Sequence, residues 1–111
     1  MTTPPSLLDW REAESRRDDG MSRAVEHADE VHGDWSAQAM HVLLGYAFCH
    51  AEFMAEDVRA QAKFDGLPDP PDSRAWGAVF TRAAKAGHIV KLGYAPAKSS
   101  NLSPKVLWGR A

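Results

Sequence analysis

Residues 72–92 read DSRAWGAVFTRAAKAGHIVKL and predict a helix followed by a strand. Its first part is typical of a helix that begins at Asp69 or Asp72, because both acids are good N-cap residues. The helical spacing of its apolar residues predicts a core-facing stripe of Ala75, Val79, Ala83 and Ala86. Gly87 suits the left-handed position that ends a helix, and residues 88–92 then predict a strand. A helix followed directly by a strand is therefore expected.

Towards the C-terminus, residues 105–108 predict a second strand, and residues 93–104 between the two strands are rich in turn-forming and polar residues. This pattern predicts a hairpin over residues 88–108 with a long basic loop.

The segment 73–111 contains seven lysines and arginines and no acid, whereas residues 1–72 are acidic overall. Such asymmetry favours association with a polyanion, because summed charge steers a protein towards oppositely charged surfaces.

Towards the N-terminus, the sequence predicts a helix from Ser6 to about Val31 that Gly20 divides into two halves. The second half carries an apolar stripe of Met21, Ala24, Val25, Ala28 and Val31. The first half has few residues to bury, so we expect residues 1–33 to form a helical arm that packs on the body of the protein or on a second copy. A homodimer through this arm is one expectation.

The middle of the chain predicts the central helices of one domain over residues 34–111, since 111 residues suit a single core. Gly33-Asp34 predicts a break with Asp34 as N-cap, followed by a core helix over residues 35–50 that is apolar nearly all round. A short extended piece at residues 52–53 leads into a helix over residues 55–64, with a stripe of Val58, Ala62 and Phe64. The proline-rich residues 66–72 predict a turn, because proline removes amide donors.

From Asp34 the order is thus helix, short strand, helix, turn, helix, strand, loop, strand. Residues 53–59, 74–80 and 83–90 resemble small winged-helix proteins of phages and prophages, a likeness that covers about two-thirds of the chain. The resemblance implies a mainly α fold with a small β-hairpin, a winged helix-turn-helix with an N-terminal helical extension. Met54 departs from the pattern, since related sequences usually place Thr or Ser there to cap the helix that follows, over residues 55–64.

In a helix-turn-helix the second helix of the motif can enter the major groove of DNA, and here that helix covers residues 72–86. Arg74 stands where a guanidinium could hold guanine, and Ser73 could donate to a phosphate at the helix N-terminus. Lysines of the hairpin would bind phosphate and confer salt dependence. The expected DNA-binding residues are Ser73, Arg74, Gly77, Thr81, Arg82, Lys85, Lys91, Lys98, Ser99 and Lys105.

Structural interpretations compete with several of these assignments. Arg74 and Lys85 could each lie on a solvated helix face, and the hairpin lysines could belong to a solubilising loop. Gly77 could serve close packing of two helices as readily as close approach of DNA. Trp76 is expected in the core or at a subunit interface rather than as a surface on which a base stacks.

The sequence offers no pattern of an enzyme, so we expect no catalytic residue and no cofactor. Cys49 is the only cysteine and, beside Tyr46 and Phe48, is expected to be buried and inert. The five histidines lack the spacings of a zinc site, so no metal is expected. The acids Glu52, Glu56 and Asp57 are expected to favour a helix dipole rather than to perform acid–base chemistry.

Two functional hypotheses follow from these observations. The first is a non-enzymatic DNA-binding protein, a phage-type replication accessory or regulator. The second is a protein-interaction adaptor that uses the same fold to bind a host or replication protein, because fold alone does not determine function. The chain lacks an apolar stretch long enough to span a bilayer, and the expected location is the cytoplasm of a bacterium or an infected host cell.

Overall fold

The computed structural model of the chain describes residues 7–96 and 104–111, with side chains from residue 16 onward. The protein is mainly helical with a small three-stranded antiparallel sheet. The described elements are, in chain order, α1 (Leu7–His32), α2 (Trp35–Cys49), β1 (Glu52–Met54), α3 (Ala55–Phe64), α4 (Arg74–Lys85), β2 (Ile89–Pro96) and β3 (Pro104–Arg110).

The first helix is continuous, so the predicted division at Gly20 is wrong. A glycine inside a helix costs about 1 kcal/mol relative to alanine. Gly20 lies where α1 crosses α4, and a Cβ placed on it would lie 3.0 Å from Nη1 of Arg74. The glycine thus permits close approach of two helices and does not mark a break.

The face of α1 that was predicted to seek a core does so along most of its length. Ala24, Val25 and Ala28 are buried, and Met21 packs partly buried against them. Val31 is 52% exposed, contrary to the prediction.

The break between α1 and α2 lies at the predicted Gly33-Asp34, but a different acid caps α2. Asp34 has a left-handed φ of 45° and makes no side-chain cap hydrogen bond. The carboxylate of Asp29, in the last turns of α1, instead accepts from the backbone N–H of Ser36 at 2.7 Å and from its hydroxyl at 2.8 Å. Asp29 of α1 therefore satisfies one of the N-terminal backbone donors of α2, the N–H of Ser36.

The second helix is buried along one face only, which corrects the expectation of a helix enclosed all round. Its buried residues recur at helical spacing: Trp35, Ala39, Leu43 and Ala47. Phe48 is 77% exposed and Cys49 is also exposed, so the predicted burial of the thiol is wrong. Because the helix is apolar nearly all round, its sequence does not indicate which face packs against neighbours.

The bounds of β1 and α3 agree with the prediction. Asp57 caps α3 from within, since its carboxylate accepts from the backbone N–H of Met54 at 2.9 Å. This hydrogen bond is the half of a capping box in which the acid at the third helical position accepts from the N-cap backbone. Val58 and Ala62 are buried, whereas Phe64 is 87% exposed and is not part of the expected stripe.

The turn after α3 is packed on the core by Trp35. This side chain is fully buried, and its Nε1 donates to the carbonyl of Pro68 at 2.8 Å. Its ring meets the ring of Trp76 edge-on at 5.1 Å between centroids, a favourable arrangement for two aromatic rings. Trp35 of α2 thereby contacts both the turn and α4.

The fourth helix ends as the sequence predicts. Gly87 has a φ of +82°, and the backbone N–H groups of Gly87 and His88 donate to the carbonyls of Ala84 and Ala83. This is the Schellman arrangement, which glycine favours because it has no Cβ to strain. Ala75, Val79 and Ala83 are buried as expected, whereas Ala86 is exposed in the turn that follows the helix.

The sheet has the order β1-β3-β2, so β3 lies at its centre. Phe53 pairs with Trp108 across β1 and β3, and Lys105 pairs with Ala95 across β3 and β2. Both hairpin strands are longer than the sequence predicts, with an irregularity in register between Lys91 and Gly93. Lys105 and Trp108 of β3 line the same groove as residues of α1, α3 and α4.

Candidate functional site

A groove of about 620 Å³ lies where α1, α3, α4 and β3 meet. The N-terminal turns of α3 and the outer face of α4 make two walls. Strand β3 makes the third, and α1 closes the fourth. We call this space the four-walled groove.

The floor of the four-walled groove is apolar and aromatic. Trp76 and Phe80 are 4% and 3% exposed, and Trp108 is half-buried beside them. The rings of Phe80 and Trp108 lie 5.5 Å apart between centroids. Met21, Met54, Ala55 and Val106 add to the apolar lining. Because Trp108 is only partly covered, it is the aromatic ring of the floor that a ligand can reach.

The rim of the four-walled groove is cationic. Arg17, Arg59, Lys85 and Lys105 border it, one from each of the four elements, together with the acids Asp18 and Glu56. Among the side chains that the structure describes, none of the four cations has an ion-pair partner. The rim thus carries an excess of positive charge above an apolar floor, which suits a ligand that is anionic and has flat apolar parts.

Five of the predicted DNA-binding residues lie on this groove. They are Ser73, Gly77, Thr81, Lys85 and Lys105. Arg82 is exposed and does not line the groove; it lies in a small adjoining recess that it shares with Asp18 and Lys85. The predictions for Lys98 and Ser99 lie outside the described residues.

Arg74, the candidate base-reading residue, is engaged by a neighbouring acid. Its Nη2 lies 2.7 Å from Oδ2 of Asp72, and its Nε donates to both carboxylate oxygens. The hydrogen bonds from the Arg74 side chain and backbone lower the pKa of Asp72 below its ordinary value of 3.8. The acid immediately before the acid-free segment thus neutralises its first cation.

Lys91 is also engaged, by a residue of its own strand β2. Its Nζ donates to the hydroxyl of Tyr94 at 2.9 Å and lies 4.7 Å from the centroid of the same ring. Lys91 does not line the four-walled groove. The structure therefore separates the cations into a group that shares the groove and a group held elsewhere.

Gly77 serves helix packing. A Cβ placed on it would lie 2.9 Å from Sδ of Met21, so α1 lies directly on this position of α4. Trp76 is buried in the core, as expected. Helix α1 therefore covers part of the face of α4 that the sequence assigned to DNA.

Arg17, Arg59 and Trp108 were not among the predicted site residues. Arg17 precedes Met21 by four residues, a spacing that places both on one face of α1. Arg59 follows Ala55 by the same spacing on α3. These local signals exist, but they become informative only once it is known that α1 and α3 border the same space.

Within the described part of the chain, no group of three or more His, Cys, Asp or Glu side chains could hold a metal ion. No helix in residues 7–96 is long and apolar enough to cross a membrane.

The fold and groove define a small α+β protein with a cationic, aromatic-floored groove. None of the family models, curated proteins and solved structures compared with the chain matches it.

Proposed function

We propose that this protein binds DNA and catalyses no reaction. The observation that carries the proposal is the convergence of Lys85 and Lys105, from the acid-free segment 73–111, with Arg59 and Arg17 on one groove. Phosphate contacts dominate the affinity of proteins for nucleic acids, and unpaired lysines and arginines that share one surface are suited to make them.

The order of elements supports a winged-helix arrangement with an N-terminal extension. Helix α2, strand β1, helices α3 and α4 and the β2–β3 hairpin follow one another in the order of that fold, and the sheet order is β1-β3-β2. In this arrangement α4 is the second helix of the helix-turn-helix and the hairpin is the wing. A place in phage replication or regulation rests on the sequence resemblance alone.

The roles of the predicted residues follow from their neighbours. Lys85 and Lys105 have no ion-pair partner among the described side chains, so they can bind phosphate and supply affinity, since a lysine acts as a point charge. Arg74 could bind a base only by exchanging its bidentate pair with Asp72 for the base edge. We therefore assign the main contribution to Lys85 and Lys105 and a lesser one to Arg74.

Fluorescence anisotropy with labelled DNA, single-stranded and duplex, across a salt series tests the proposal. Binding should weaken as salt rises, because phosphate contacts release counterions. The double variant Lys85→Glu/Lys105→Glu should lose at least about tenfold in affinity and flatten the salt dependence. The matched control is Arg23→Glu/Lys63→Glu, which makes the same charge change at two exposed cations that do not border the groove.

The proposal is wrong if neither form of DNA binds at micromolar protein in about 50 mM salt. Equal losses in the test and control variants would also count against the groove, since they would mean that overall charge and not this surface governs binding.

A further inference from the structure

We propose that the four-walled groove binds single-stranded nucleic acid in preference to duplex. This inference rests on the proposed function and deepens it, because it names the form of nucleic acid that the site takes. Two features carry it: the position of α1 on α4, and the apolar floor between the cations.

Helix α1 obstructs the entry of α4 into a duplex. Met21 lies on Gly77, Gly20 lies beside Arg74, and Ala78 is 5% exposed. A helix with its side chains is about 10–12 Å across and packed helix axes lie about 8–10 Å apart, so the α1–α4 pair is roughly 20 Å wide. The major groove of B-DNA is about 12 Å wide and admits one helix. The pair is too wide to enter it side by side.

The floor of the groove suits bases that are not paired. A duplex stacks its bases inside and presents phosphates and base edges, so it would leave an apolar floor without a partner. Single strands expose the flat faces of their bases, and proteins that bind them combine a cationic groove with aromatic side chains on which the bases stack. Trp108 is half-buried at the floor and so offers part of its ring for such stacking.

The rim suits a flexible backbone. Its cations, Arg17, Arg59, Lys85 and Lys105, come from four different elements and surround the floor, so a strand whose bases meet the floor has cations near its phosphates. Asp18 and Glu56 on the same rim reduce the net positive charge. Stacking must then supply part of the affinity, and the salt dependence should be shallower than that of a protein bound by phosphate contacts alone.

The first test compares a labelled oligothymidine of about 12 nucleotides with a duplex of the same length in the same buffer. The oligothymidine should bind at least about tenfold more tightly. Equal or tighter binding of the duplex would overturn this inference and leave the proposed function standing. Binding of neither form would overturn both.

The second test uses variants with matched controls on the same oligothymidine. Arg59→Glu should weaken binding about tenfold, whereas Lys63→Glu, one turn further along α3 and outside the groove, should change it little. Trp108→Leu, which keeps an apolar floor, should also cost about tenfold, and Trp108→Phe should retain most of the affinity. Phe64→Leu, at an exposed ring away from the groove, is the control.

Circular dichroism of each variant separates loss of binding from loss of folding. If folded Trp108→Leu and Arg59→Glu proteins bind as well as their controls, the strand does not occupy this groove. A titration with an acidic peptide of alternating glutamate and phenylalanine tests the competing ligand. Tighter binding of that peptide than of the oligothymidine, sensitive to Arg59→Glu, would assign the groove to a protein partner and overturn the inference.

Discussion

The packing of α1 on α4 can be tested through one close contact. A Cβ on Gly77 would lie 2.9 Å from Sδ of Met21, closer than unstrained contacts allow. Replacing a helical glycine by alanine normally stabilises a helix by about 1 kcal/mol. In Gly77→Ala the new methyl group must displace the end of the Met21 side chain, which costs about 0.5–1.5 kcal/mol if that side chain leaves its preferred rotamer. The two effects nearly cancel, so Gly77→Ala alone should change the free energy of unfolding little.

The same substitution should behave differently where Met21 is alanine. The obstructing sulfur is then absent, and Gly77→Ala should stabilise the protein by the full propensity gain of about 1 kcal/mol. A double-mutant cycle of the wild type, the two single variants and the double variant isolates this difference as a coupling of about 1 kcal/mol. Urea unfolding followed by far-ultraviolet circular dichroism measures it, and an unchanged m-value in all four proteins shows that the comparison is valid.

If the effects of Gly77→Ala and Met21→Ala on the free energy of unfolding are additive, the contact between Met21 and Gly77 is contradicted. If Gly77→Ala has the same effect in both backgrounds to within about 0.3 kcal/mol, Met21 does not lie on Gly77. Helix α1 would then leave the outer face of α4 open, and the steric argument against duplex binding would be lost.

Further predictions concern the core, one ion pair and assembly. Leu43→Ala should lower the free energy of unfolding by about 2–5 kcal/mol, because Leu43 is fully buried, whereas Phe48→Ala at a 77% exposed ring should change it by less than about 0.5 kcal/mol in the same urea assay. The pair with Arg74 lowers the pKa of Asp72, so its stabilisation is present above pH 3.8 and is lost as the pH falls through the folded-state value. In Arg74→Gln, carbon-13 NMR should find the Asp72 pKa raised towards 3.8, because the guanidinium is lost while the backbone N–H of residue 74 remains, and no rise would contradict the assignment. Sedimentation equilibrium should find a mass above the 12.2 kDa of one chain if α1 forms a homodimer, and a strict monomer at high protein concentration would exclude it.

Local signals in the sequence predicted most of the elements. Gly87 ended α4, the proline-rich turn preceded it, and Gly33 separated α1 from α2, because each of these acts on the backbone within one turn. The same reasoning was wrong at Gly20, where a distant helix and not local propensity determines the structure. It was also wrong at Cys49, because composition does not say which face of an apolar helix meets a neighbour.

The candidate site was only partly accessible from the sequence. The charge pattern selected Lys85 and Lys105, and the structure places both on one groove. It also selected Arg74. The carboxylate of Asp72, which directly precedes the acid-free segment 73–111, neutralises the charge of this arginine. Arg59 was missed because it lies in an acidic part of the chain, where a net charge conceals a single cation.

By itself, then, the sequence determined the order of helices and strands, the ends of α2, α3 and α4 to within a few residues, and the basic character of residues 73–111. These properties depend on caps, prolines, glycines and side-chain charges, which act locally or by simple summation. Only the tertiary structure decided that α1 lies on α4 and that cations from four elements share one groove above Trp108. Those features depend on side-chain packing between residues far apart in the chain, which no local pattern encodes.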